Sequence, residues 1–108
     1  MSHEVVELDI PDSIFEDQET DAIEFVRFWI CNQSDHVTLN IGGTDGEAEP
    51  EMWGNIAADI ACHAVRGMQQ DDPSRGTSEQ MLAEIERVFL ERIRKERDLS
   101  GQLRVEKQ

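Results

Sequence analysis

The sequence predicts an α+β domain: a small antiparallel sheet of about three strands, with a central hairpin, packed by two C-terminal helices. Three observations carry the prediction. Residues 36–41 alternate apolar with polar, Val37, Leu39 and Ile41 against His36, Thr38 and Asn40, which is the period of a half-buried strand. Residues 50–70, and the stretch that follows Thr77, repeat their large apolar side chains at helical spacing instead. Turn-forming clusters, NQSD, GGTDG and DDPSRG, separate the segments.

In chain order, residues 4–10 place Val6, Leu8 and Ile10 opposite Glu7 and Asp9, a strand pattern that Pro11 stops. Residues 12–21 form an acidic connector anchored by Ile14 and Phe15. Residues 23–31, IEFVRFWIC, are apolar on nearly every side, so periodicity alone fits a buried helix or a strand. Their β-branched and aromatic content, and the turn cluster behind them, favour the strand. Residues 22–41 then read as a β-hairpin. Its inner face carries Val26, Phe28 and Ile30 with Val37, Leu39 and Ile41; its outer face carries Phe25, Arg27 and Trp29 with Thr38 and Asn40.

Residues 50–70 are the helix around which the layout is organised. Trp53, Ile56, Ile60 and Met68 form an apolar stripe with Ala57, Ala64 and Gly67, expected to lie buried on the sheet. Pro50 suits the first helical position, and Glu47, Glu49 and Glu51 complement the positive end of the helix dipole. Thr77 with Gln80 has the form of a capping box for a last helix bearing Met81, Leu82, Ile85, Val88, Phe89 and Ile93. Arg87 with Glu91, and Arg92 with Glu96, are spaced to pair across its wet face. Residues 1–98 are expected to form one globular domain, and residues 99–108 a flexible tail.

The 108 residues carry 24 acids and 10 bases, a formal charge of −14. Residues 1–60 hold 15 of the acids and one base, Arg27, while residues 61–108 hold nine of each. Such a field repels phosphate backbones and anionic headgroups, so neither nucleic acid nor a membrane surface is an expected partner; a basic protein is compatible with it. No apolar run reaches the length of a membrane span and the acidic start is unlike a signal peptide, so the expected location is the cytoplasm. In that reducing compartment Cys31 and Cys62 read as two buried thiols rather than a disulfide.

Taken in order, LDIP at residues 8–11, EFVRFW at 24–29, VTLNI at 37–41, PEMWG at 50–54, DIACH at 59–63 and LAEIERVF at 82–89 resemble a small, mostly alphaproteobacterial family of unknown function (domain of unknown function 5076). The resemblance covers nearly the whole chain. It implies a hairpin followed by two helices and brings no assigned activity. Cys62 stands where the family tends to carry an arginine before the helix histidine, and Ile93 lies near the position of a family tryptophan.

Several constellations carry candidate chemistry. Asn55, Asp59, His63 and Arg66 form a polar stripe along the first long helix, where a carboxylate four residues from an imidazole can orient it as a general base; a local ion pair satisfies the same spacing. Cys62 and His63 diverge by about 100° around a helix and do not make a nucleophile and base. No C-x-x-C or H-x-x-x-H spacing joins Cys31, Cys62, His3, His36 and His63, and no metal is expected. Gly42, Gly43 and Gly46 precede a helix as in a phosphate loop, but no lysine accompanies them and three glutamates follow. Asp45, Glu47 and Glu49 lack the pattern of a calcium loop. No cofactor is implied. Arg27, between Phe25 and Trp29, either pairs locally or grips an acidic group in an aromatic patch.

The leading expectation is a non-enzymatic interaction or accessory module that self-associates as a homodimer, the candidate face being Phe25, Arg27, Trp29, Thr38 and Asn40. The alternative is a small-molecule binder or minor enzyme that uses the polar stripe around Asp59 and His63.

Overall fold

The aromatic and β-branched run does fold as a strand. In the computed structural model, which describes residues 4–16, 21–43, 46–95 and 102–106, β1 spans Val26–Cys31 and pairs antiparallel with β2, Ser34–Asn40. A two-residue turn joins them, with Asn32 and Gln33 both at positive φ (53° and 63°). That is the hairpin turn whose twist matches the flanking strands. Asn32 tolerates the left-handed conformation; Gln33 is strained by it, at a cost of roughly 1 kcal/mol.

The third strand is β3, Gln102–Glu106, which lies parallel to β2 and gives a mixed sheet of order β1-β2-β3. Two expectations change here. The tail is not without structure throughout, because Leu103 and Val105 continue the apolar face of β2 opposite Val37 and Leu39. Residues 4–10 form no strand: Val6, Glu7 and Leu8 lie beside β1, an outer strand of the sheet, and are held there through the Glu7 side chain on Arg27 rather than by a backbone ladder. Only a short helix, α1 (Ser13–Glu16), follows them.

The helices lie close to where their signals predict. The helix α2 spans Glu49–Asp71 with Pro50 in its first turn beside Glu49 and Glu51. A 3₁₀ turn, Pro73–Arg75, leads into α3, Ser78–Lys95. The capping box forms: the Gln80 amide donates to Thr77 Oγ1 at 3.1 Å, and the Thr77 amide donates to Gln80 Oε1 at 3.0 Å. Gly76 makes room for it, at a φ of 139° and with the site of a β-carbon 3.2 Å from Gln80 Oε1. On the wet face Arg87 donates to Glu91 at 3.2 Å and to Glu84 at 2.6 Å. Glu96, His3, Asp45 and residues 99–101 lie outside the described residues, with the expectations attached to them.

Packing departs furthest from expectation. Helices α2 and α3 form an antiparallel hairpin around Val65, with Ala61, Met68, Met81 and Ile85 half-buried about it and Ser78 Oγ donating to Gln69 Oε1 at 2.8 Å. Among the described residues Val65 is the one buried apolar side chain, and no strand backbone comes within 8 Å (Cα–Cα) of α2 or α3. The stripe expected to rest on the sheet is only partly covered: Trp53 and Ile56 are half-buried, while Ile60 is exposed. The radius of gyration is 16.4 Å, against about 13 Å for a compact domain of this length. The accessible surface is 9736 Å², where a folded monomer of this mass exposes about 6,100 Å².

Candidate functional site

The strand register sorts the sheet into two faces. Val26 opposite Leu39, Phe28 opposite Val37, and Leu103 and Val105 beside them share one face. Arg27 opposite Thr38, and Trp29 opposite His36, share the other, and the bond from the Asn40 amide to Phe25 O at 3.0 Å extends this second face to Phe25 and Asn40. For a monomer the exposures run the wrong way. On the apolar face Val26, Val37 and Leu39 are half-buried, but the larger part of the face is open: Phe28 is 61% exposed, Ile30 67%, Leu103 63% and Val105 50%. On the polar face Phe25, Arg27, Trp29 and Thr38 are half-buried and Asn40 is only 5% exposed.

A clamp at one end of the sheet explains the inversion. The Glu49 carboxylate accepts the Gly42 amide at 3.0 and 3.2 Å and the Trp53 indole N–H at 3.0 Å. Gly42 has a φ of 84°, in the left-handed region that glycine tolerates. Trp53 in turn packs edge-to-face on Phe25, ring centroids 6.3 Å apart. The start of α2 is thereby fixed against the polar face of the sheet, so this chain's own helix leaves the apolar face open.

The residues of the expected interaction face are engaged within the chain. Arg27 donates to Glu24 at 2.8 Å and to Glu7 at 3.1 Å, and these two carboxylates, Glu24 first, hold its guanidinium even more firmly protonated than usual. Arg27 is thus the local ion-pair centre, and Glu7 ties the amino-terminal segment to β1. Among the described residues neither side-chain atom of the buried Asn40 amide has a hydrogen-bond partner.

Asn55, Asp59, His63 and Arg66 are all exposed along α2, and among the described residues no hydrogen bond or ion pair joins Asp59 to His63. On a different side of the same helix, where α2 and α3 splay apart, lies an apolar groove of about 420 Å³. Gly54, Ala57 and Ala61 line it from α2, with Leu82, Phe89 and Leu90 from α3. Cys62 also lines the groove and is exposed, as is Cys31 at the end of β1, so neither thiol is buried as expected. The physical reason is the same for both: among the described residues nothing covers the groove or the end of the hairpin.

Sequence reasoning missed three contributors: Leu103 and Val105, whose alternation spans only a few residues; the Glu49 clamp, read as a dipole effect alone; and the groove, whose small residues signal a close approach without naming what approaches. Among the described residues no three of His, Cys, Asp and Glu gather to hold a metal ion, and no helix is long and apolar enough to cross a membrane.

Among curated proteins none matches the chain. Among solved structures it is similar to a chain from the photosynthetic bacterium Rhodopseudomonas palustrus CGA009, described as a "putative pyruvate dehydrogenase". The two share 26% identity and a TM-score of 0.63 over 94% of this chain and 96% of that one. The model of the family described as "Domain of unknown function (DUF5076)" matches residues 7–96, on the same hairpin and helix pair that the sequence motifs mark, and the chain belongs to that family.

Proposed function

We propose that the protein is a non-enzymatic interaction module that self-associates, a second copy completing a fold that one chain leaves open. The observation that carries this reading is the open apolar face of the sheet, Phe28, Ile30, Leu103 and Val105, beside a surface about 3,600 Å² larger than a folded monomer of this mass exposes. A contiguous apolar patch of this kind on a soluble chain marks an interaction surface. The reading sets the working compartment as the cytoplasm, where exposed Cys31 and Cys62 stay reduced. Sedimentation equilibrium over a dilution series is the test. The expected mass is twice the 12.3 kDa of one chain down to low micromolar concentration. A folded monomer at high micromolar concentration removes the reading.

The second reading is a small-molecule binder or minor enzyme working along Asn55, Asp59, His63 and Arg66. Two observations favour it: the likeness to a chain with an enzyme description, and the accessibility of all four side chains to solvent. Its test is the NMR titration of His63 with and without pyruvate. A shift in the imidazole pKa on adding pyruvate supports a site there, and superimposable curves count against one.

A further inference from the structure

Resting on the self-association proposed above, we infer that two copies exchange layers: the apolar sheet face of each is closed by the α2–α3 hairpin of the other. Three observations lead there. The clamp of Glu49 on Gly42 and Trp53, with Trp53 on Phe25, fixes a chain's own α2 to the polar side of its sheet, so its apolar side is left for another molecule. The surfaces are complementary in relief. The sheet presents projecting side chains, Phe28 and Ile30 foremost, and the groove offers a floor of Gly54, Ala57 and Ala61 between walls that include Leu82 and Phe89. A Cβ-poor floor is what a bulky side chain entering from outside requires.

Area is sufficient: each copy exposes about 3,600 Å² beyond what a folded monomer of its mass does, so two copies have more to bury than the roughly 2,000–5,000 Å² in total that an obligate pair takes. Pairing like with like, sheet on sheet or hairpin on hairpin, would leave the unlike surface of both copies wet.

The exchange has two equivalent contacts per dimer, and this makes it testable by complementation. Phe28→Asp spoils the sheet side and Phe89→Asp the groove side. Each variant alone damages both contacts, and each is expected to sediment as a monomer at a concentration where the unaltered protein is dimeric. Mixed in equal amounts they retain one contact undamaged on both sides. The mixture is expected to form a heterodimer at least about tenfold more tightly than either variant pairs with itself.

A mixture that stays monomeric, or a variant that still dimerises fully alone, overturns the exchange while leaving self-association standing. An unaltered protein that is monomeric overturns both. Should a variant lose its far-UV circular dichroism, the unaltered surfaces are used instead. A spin label on Cys31 of a Cys62→Ser copy is then expected to broaden amide signals between Leu82 and Ile93 of an isotope-labelled partner copy, and unbroadened signals there overturn the exchange.

Discussion

Replacing Glu49 by Ala tests how the helix pair is joined to the sheet. The carboxylate takes the Gly42 amide at 3.0 and 3.2 Å and the Trp53 indole at 3.0 Å, and it lies in the first turn of α2. A hydrogen bond to a charged group contributes about 1.5–3 kcal/mol. Glu49 is half-buried, so water partly replaces each bond and its contribution falls below that range. Two bonds at about 1 kcal/mol each, with about 0.5 kcal/mol for a negative charge at a helix start, give a loss of about 2–3 kcal/mol. Urea unfolding at fixed protein concentration, followed by tryptophan fluorescence and circular dichroism, should show the midpoint falling by about 1–2 M. The Trp53 indole proton should exchange faster, and Glu49→Gln, which keeps one acceptor oxygen, should recover about half of the midpoint. An unchanged midpoint together with an unchanged indole proton would mean that the angle of α2 is set by something other than this clamp.

Three other predictions follow from local chemistry. Thr77→Ala removes one half of the reciprocal cap with Gln80 and should cost about 1 kcal/mol in unfolding experiments; a change below a few tenths would mean the cap contributes nothing. Asn40→Leu replaces a buried amide without partners among the described residues and should stabilise the protein by about 1–2 kcal/mol, whereas destabilisation would reveal a partner that the amide holds. Hydrogen bonds from the Ser74 hydroxyl and amide hold the Asp72 carboxyl below its ordinary range, and the Arg87 guanidinium does the same to Glu84. A folded-state pKa below the unfolded one gives stability that is complete above the unfolded value and lost as the pH falls through the folded value. The α2–α3 hairpin should therefore be insensitive to pH between 7 and 5 and loosen only below about 4, with Asp72→Asn blunting the loss; a transition near neutral pH would contradict this.

Much of the architecture was legible because its signals are local. The alternation from Val37 to Ile41, the turn cluster after Cys31, Pro50 at a helix start and the Thr77–Gln80 pair each specify backbone geometry within a few residues, and each lies where it was read. Period also told correctly that Val26, Phe28, Val37 and Leu39 share a face. What it could not tell was which molecule covers that face, because an apolar pattern records the need for burial and not the identity of the cover. The same ambiguity misled the reading of Cys62, Ile60 and residues 4–10, all apolar in pattern yet exposed in a single chain. For β3 the reason is length: Leu103 and Val105 make too short an alternation to stand out from a tail. Of the candidate site, the polar stripe was legible as a surface, whereas the turning of α2 toward the polar side of the sheet depends on the long-range contact of Trp53 with Phe25.

The central claim, that one copy's hairpin of helices is the missing layer of another's sheet, is most directly tested by isotope-filtered NOE spectroscopy on a mixture of labelled and unlabelled protein. Cross-peaks between Phe28, Ile30 or Val105 of one copy and Leu82, Phe89 or Ile93 of the other are the predicted result. A dimer whose intermolecular cross-peaks join sheet only to sheet, or helix only to helix, would contradict it.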